Sequence, residues 1–559
     1  MSQSGYLFRG PRNTPESRAG RPPEPRTETR PGMVIDRDVA VLTGSGTTIW
    51  VDVYRPEGGE AAAPIVGWTP YGKHNPAPIG RIYPGSGVRP EWNSPLTTFE
   101  APDPEYWVRH GYAVVIADIP GTWYSEGPAT YLSPEEARAY ADLIEWAGTQ
   151  PWSNGRVGLS GVSYLTQTQW RVAELNPPHL AAINPWEGWT DTYREVVRHG
   201  GIPETSFWPY IWDRWGASTG MIEDLEAETA QHPWFDEFWA SKAARLEEIR
   251  VPAFVVASWS DQGLHSRGTL EGFRRISSEH KWLDVHGRKK WGYYYDPENV
   301  ERQRAFFDQF LRGADRGVLD WPRVRMEVRE RYYQGTHRVA RDWPPKDTEY
   351  RSWYLDAAQG AMLPHPPGAA AVAEYDSLGS APGPVDARFT MTFGEPAEII
   401  GHSRLILHVE APEADDLDLF AALFKTGRDG EVIGFPYYAQ FEDGPVAVGW
   451  LRASHREPDP ELSTEFLTVL AHRRALPVPR GQVIEAEIEI LPSGTRFEAG
   501  EGLLLIVQGT DIKRYPKPLI YARHENTVNA GPHRIHTGPA YPSRIIRSEE
   551  RRVGKECSS

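Results

Sequence analysis

One cysteine, Cys557, stands in a chain of 559 residues. That scarcity excludes any disulfide within the chain and any zinc cage built on thiolates. No apolar run approaches the roughly 20 residues that a membrane-spanning helix needs, and the N-terminus lacks the hydrophobic core of a secretory signal. Positive charge is in deficit: 60 Lys and Arg face 76 Asp and Glu, a net charge of −16. This balance argues against nucleic acid or an anionic membrane as the main partner. No internal repeat is found. A cytoplasmic protein is the expectation.

What is plentiful is proline (50), glycine (52) and tryptophan (22), the composition of a loop-rich fold with large aromatic surfaces. Apolar residues make up 40%, enough for a core in each of the two or three domains that this length implies. Residues 1–32 are rich in Arg, Pro, Ser and Glu and read as disordered. Residues 33–185 and 251–320 alternate strands with helices, as an α/β domain with a mainly parallel sheet does. Ser133-Pro134-Glu135-Glu136 opens a helix as a capping box.

Between them, residues 186–250 carry seven tryptophans, including Trp186, Trp189 and Trp208, with short helical stretches, and read as an inserted helical cap. Residues 321–546 hold short strands and turns with no convincing helix, an all-β sandwich or jelly roll. The tail, 547–559, resembles translated vector and is set outside the fold.

The chemistry centres on Ser153–Gln167. Val157–Leu159 is the end of a buried strand, Gly161 permits a tight turn, and a helix begins at Tyr164. This is the layout of a nucleophile elbow, with a serine at a helix N-terminus where free N–H groups favour negative charge. Ser163 is preferred to Ser160, which precedes the turn glycine and lies in the strand. Leu165 breaks the G-x-S-x-G pattern at its last position.

A serine nucleophile needs a base, and the base needs a carboxylate to fix its tautomer. In an α/β-hydrolase these follow later strands in the order Ser, acid, His. Asp261 follows the strand at 253–258 and His286 follows the strand at 282–285, so Ser163, Asp261 and His286 are the expected triad. His265, in the Asp261 loop itself, is a weaker candidate, as are His199, His232 and His110. The Tyr164 N–H and the Tyr71 hydroxyl are the expected oxyanion donors. Trp186, Trp189, Phe207 and Trp208 are candidates for the acyl pocket.

Taken together, Pro70-Tyr71-Gly72-Lys73, Ser125-Glu126-Gly127, Gln150–Gly158, Gly161-Val162-Ser163-Tyr164-Leu165, Trp259-Ser260-Asp261, Trp450–Arg456 and Gly531–Gly538 resemble the cocaine-esterase and X-prolyl-dipeptidyl-peptidase-like acyl hydrolases. The resemblance spans about Val34 to Arg544. It implies the same triad and oxyanion hole, and an α/β-hydrolase core with a helical cap and a C-terminal jelly roll. Three departures stand out. Thr166 replaces a usual glycine and should crowd the elbow helix; Pro120 replaces a usual arginine; the tail replaces the last strand.

The expected reaction is hydrolysis of an acyl ester or amide with no metal or organic cofactor. The expected partner is a small-molecule substrate, and homo-oligomerisation is left open. The Asp261 loop carries no acidic pair, which counts against α-amino-acid esters. Glu187 or Asp191 could still hold an ammonium, so an Xaa-Pro aminopeptidase is the alternative. A binding protein that uses the jelly roll is a third reading.

Overall fold

A computed structural model describes residues 5–549 except 84, 347, 381, 518 and 519. Its central sheet is laid out by apolar strands. Ala63–Thr69, Tyr112–Asp118, Val157–Val162 and Ala253–Ser258 are buried along their whole length, as strands covered on both faces must be. From one edge the order is Arg26–Arg30, Met33–Leu42, Thr48–Pro56, Tyr112–Asp118, Ala63–Thr69, Val157–Val162, Leu180–Trp186, Ala253–Ser258, Lys281–His286, Val324–Arg331 and Gln334–Ala340. The seven strands from Tyr112–Asp118 to Val324–Arg331 are parallel, with antiparallel strands on both flanks. Ser163, Asp261 and His286 therefore follow or end strands at the carboxyl edge of one sheet, where open α/β folds place their ligands.

The segment 186–250 holds short helices, among them Phe207–Arg214, Leu225–Gln231 and Glu237–Ser241. Val324–Arg331 and Gln334–Ala340, which lie within the residues expected to form the β domain, extend the hydrolase sheet. Farther on, Ala397–Glu410, Ile484–Phe497, Pro532–Thr537 and Arg544–Glu549 form one antiparallel layer. Asp386–Thr392, Gly502–Gln508, Asp418–Thr426 and Ala447–Arg452 form the other. Leu405, Leu407 and Ile488 of the first layer meet Phe389, Leu419, Leu423 and Leu505 of the second in one core. The C-terminal domain is a β-sandwich.

Both ends of the chain depart from expectation. Residues 5–32 are ordered: Phe8–Arg9 pairs with Ile222–Glu223 of the cap, and Arg26–Arg30 pairs with Met33–Leu42. The arginines that suggested disorder find distant acids, as when Arg12 meets Asp213 at 3.1 Å and Arg21 meets Asp38 at 3.2 Å. At the other end, the strand Arg544–Glu549 takes in the first residues of the suspected vector tail and pairs with Glu349–Asp356. Arg547 and Ser548 are buried there. The rest of that tail, with Cys557, lies outside the described residues.

Candidate active site

Ser163 sits between the strand Val157–Val162 and the helix Tyr164–Ala173 with φ 60° and ψ −116°. A positive φ at a non-glycine residue is strained, and such strain marks a nucleophile elbow. Gly161 makes the turn passable: a Cβ there would come within 2.5 Å of the Leu165 Cβ. The Tyr164 N–H is the first of the helix, where no intrahelical carbonyl can reach it.

The crowding expected from Thr166 does not arise. Its hydroxyl oxygen accepts the Trp186 N–H at 2.8 Å and has the carbonyls of Gly161 and Trp186, each at 2.8 Å, as acceptors for its one proton. Its methyl fits because residue 188 is glycine, where an added Cβ would lie 2.6 Å from Thr166 Cγ2.

The histidine that meets Ser163 is not the one that the sequence order put there. Ser163 Oγ lies 3.1 Å from His265 Nε2, and His265 Nδ1 hydrogen-bonds Asp261 Oδ2. The carbonyl of Asp261 accepts the His265 N–H at 3.0 Å, closing one turn at the mouth of the helix Ser266–Arg275. Residues four apart on such a turn face each other, so acid and base come from one loop. The Asp-x-x-x-His spacing was the available signal.

His286 is not in contact with Ser163 through any hydrogen bond among the described residues, and both of its ring nitrogens are committed. The Arg288 N–H donates to Nδ1 at 3.1 Å, so Nδ1 is the acceptor. Nε2 therefore carries the proton and donates to Glu187 Oε1 at 3.0 Å. The ring stacks on Tyr293 at 3.9 Å. Glu187 also accepts from Ser258 Oγ at 2.5 Å. His286 thus locks the neighbouring strand ends, and the histidine placed against the Ser163 hydroxyl is His265 rather than the expected His286.

The site is sealed: Ser163 is 6% exposed and His265 is 0%. Burial pushes the His265 imidazole below its ordinary value, with the Lys290 ammonium acting the same way. Burial alone would raise Asp261, but Lys290 and His265 hold its carboxyl well below the usual range. The result is a neutral base hydrogen-bonded to an ionised acid, the state from which a serine proton can be taken.

The other expected residues divide. Trp189 stacks on His265, with centroids 5.7 Å apart and planes 9° apart. Trp215, not singled out from the sequence, ties the wall together by touching Trp189, Trp208 and Tyr164. Trp208 meets Trp215 edge-on, while Phe207 stands half-buried at the start of its helix. Trp186 packs against Tyr293 and Tyr294 and supplies the carbonyl that receives the Ser163 N–H at 3.2 Å.

The Tyr71 ring meets Phe99 edge-on at 4.9 Å, under the Arg214 guanidinium. Its hydroxyl faces the Trp215 side chain, and burial keeps the phenol protonated, hence a donor. The Tyr164 phenol donates to Glu136 Oε1 at 2.7 Å. That carboxylate, expected only as half of a capping box, also takes the Trp68 indole N–H at 2.9 Å and the Leu132 N–H at 2.5 Å. Burial raises it to about 7.

Fold and geometry together define the class, an α/β-hydrolase of the serine type. Residues 45–215 match the X-Pro dipeptidyl-peptidase (S15) family, and residues 316–546 match the X-Pro dipeptidyl-peptidase C-terminal non-catalytic domain. A CocE/NonD family hydrolase from Staphylococcus aureus is 41% identical with a TM-score of 0.89, covering 93% of this chain and 94% of that one. Cocaine esterase of Rhodococcus sp. is 24% identical over 91% of this chain and 97% of its own length. An Xaa-Pro dipeptidyl-peptidase of Lactobacillus helveticus is 28% identical over 39% of this chain and 28% of its own. The chain belongs to the cocaine-esterase and X-prolyl-dipeptidyl-peptidase-like family of acyl hydrolases, and it is a serine hydrolase.

Proposed function

We propose that this enzyme hydrolyses carboxylic esters of small molecules through an acyl-enzyme on Ser163, with His265 as general base and Asp261 orienting it. Ser163 Oγ attacks the acyl carbon, and its proton passes to His265 Nε2. Asp261 holds Nδ1–H and stabilises the imidazolium. The oxyanion is received by the Tyr164 N–H and the Tyr71 hydroxyl. The tetrahedral intermediate collapses, His265 returns the proton to the leaving alkoxide, and the alcohol departs. Water then repeats the sequence and releases the acid. No step requires a metal or organic cofactor. The observation that carries the reading is the hydrogen-bond chain Ser163–His265–Asp261 at a strained elbow.

The two carboxylates that could have held a substrate ammonium are occupied: Glu187 by His286 and Ser258, and Asp191 by Arg194 at 2.6 Å. This favours simple acyl esters. One observation supports amine recognition and the Xaa-Pro aminopeptidase reading. Glu100 hydrogen-bonds to Trp291 at 2.8 Å through Oε1, while its buried Oε2 has no hydrogen-bond partner.

Phenyl esters of acetate, butyrate and benzoate, set against Xaa-Pro anilides, separate the two. The expected result is faster turnover of the esters, lost by at least about a thousandfold in Ser163→Ala. Unchanged hydrolysis by that variant would reject the assignment, and preference for the anilides would transfer it to the peptidase reading. A binding protein with an inert triad would fail to label with a fluorophosphonate, whereas the geometry predicts labelling at Ser163.

A further inference from the structure

A charged group from the neighbouring loop reaches the acid and the base and is not used by the reaction scheme. Lys290 opens the short helix Lys290–Tyr295, directly after the strand that ends at His286. Its ammonium lies 3.2 Å from Asp261 Oδ2, the same oxygen that receives His265, and 3.4 Å from His265 Nδ1. The side chain is 8% exposed, with its ammonium over the Trp291 ring at 5.2 Å. Asp261 Oδ1 has no hydrogen-bond partner, so the imidazole N–H and the ammonium converge on one oxygen.

We propose that Lys290 is a positioning residue of this reaction: it fixes the carboxylate of Asp261 from a second side and sets a positive charge beside Nδ1 that opposes formation of the imidazolium. Resting on the Ser163–His265 assignment, the inference adds what sets the acid limit of the site. Nδ1 already carries the proton given to Asp261, so Lys290 cannot bond to that nitrogen; it acts there as a charge only. A cation within this distance in a buried site disfavours a second cation. Other ionisable groups face the imidazole, Asp261 or Lys290. Asp261 and Glu187 favour its protonation, although Glu187 is held by His286. Glu100 faces Lys290 from the segment before the helix 104–109 and is raised by burial to about 7. Tyr437 and Tyr438 face Asp261 from the β domain and stay neutral. Among these groups Lys290 alone supplies a fixed positive charge.

The test follows fluorophosphonate labelling of Ser163 and kcat/KM on a phenyl ester over roughly pH 4.5 to 9, in wild type and in Lys290→Met, Lys290→Gln and Lys290→Arg. In wild type the acid limb is expected below the ordinary imidazole value of about 6.5. In Met and Gln it should move up by about one pH unit, and in Arg it should stay near wild type. A role in packing alone would lower the amplitude and leave the limb in place. An unmoved limb in Met and Gln, with Ser163 still labelled, overturns the role of Lys290 and leaves the triad standing. A wild type that does not label at any pH overturns the triad itself. If Met and Gln fail to fold, the wild-type limb decides, and a limb at or above 6.5 overturns the proposal.

Discussion

Two loops at the carboxyl edge of the sheet each present a buried histidine bonded to a carboxylate. In the loop 261–265 the pair is His265 with Asp261, and in the region 286–290 it is His286 with Glu187. The difference lies in what the second ring nitrogen does. At His265 it faces the Ser163 hydroxyl, while at His286 it is filled by the Arg288 N–H. A histidine with both nitrogens in fixed backbone and carboxylate bonds holds strands together. One with a nitrogen directed at a hydroxyl can exchange a proton. Burial and a carboxylate partner are common to both and do not discriminate.

The largest expected contrast is between the two carboxylates. Asp261→Asn should lower kcat by about 10³ to 10⁴ by presenting the wrong tautomer to Ser163. Glu187→Gln should keep turnover within about tenfold of wild type and lower stability by about 1–3 kcal/mol, because His286 and Ser258 lose a charged acceptor. Steady-state kinetics and chemical denaturation on both variants read the two effects separately; equal losses of kcat would erase the distinction.

Next in size is the elbow's own packing. Gly188→Ala should cost about 1–3 kcal/mol by pressing on Thr166, and adding Thr166→Gly should recover much of it. Additive losses in a denaturation cycle would show that the two sites do not share space.

The smallest effect is on pH. His265 must be neutral to accept the proton, and its folded value is depressed by burial and Lys290. The fraction of active enzyme is therefore retained as pH falls through about 6.5 and is lost only below it. A pH–rate profile whose acid limb lies above 6.5 would contradict that sign.

Much of this was legible in the residues. The apolar strands, the cap rich in tryptophan and the elbow around Ser163 all follow from local pattern, because burial on two faces and a glycine at a tight turn leave clear marks. The base was misplaced because the expected order puts each triad member after its own strand. Asp261 and His265 share one turn instead, and a contact four residues apart looks like ordinary loop composition. Glu136 was read as a cap because its roles on Trp68 and Tyr164 depend on elements 68 and 28 residues away. The start of the chain was judged by composition and its tail by a likeness to vector sequence, and neither shows that Phe8–Arg9 completes a strand pair in the cap or that Arg547 is buried in the sandwich. Thr166 looked like a defect until Gly188 was seen opposite it.

The most direct measurement is the rate of fluorophosphonate labelling at Ser163 in His265→Gln and His286→Gln, each checked for folding by circular dichroism. The account predicts near-complete loss of labelling in the first and labelling within about tenfold of wild type in the second. The reverse pattern would return the role of base to His286 and contradict the geometry on which the mechanism stands.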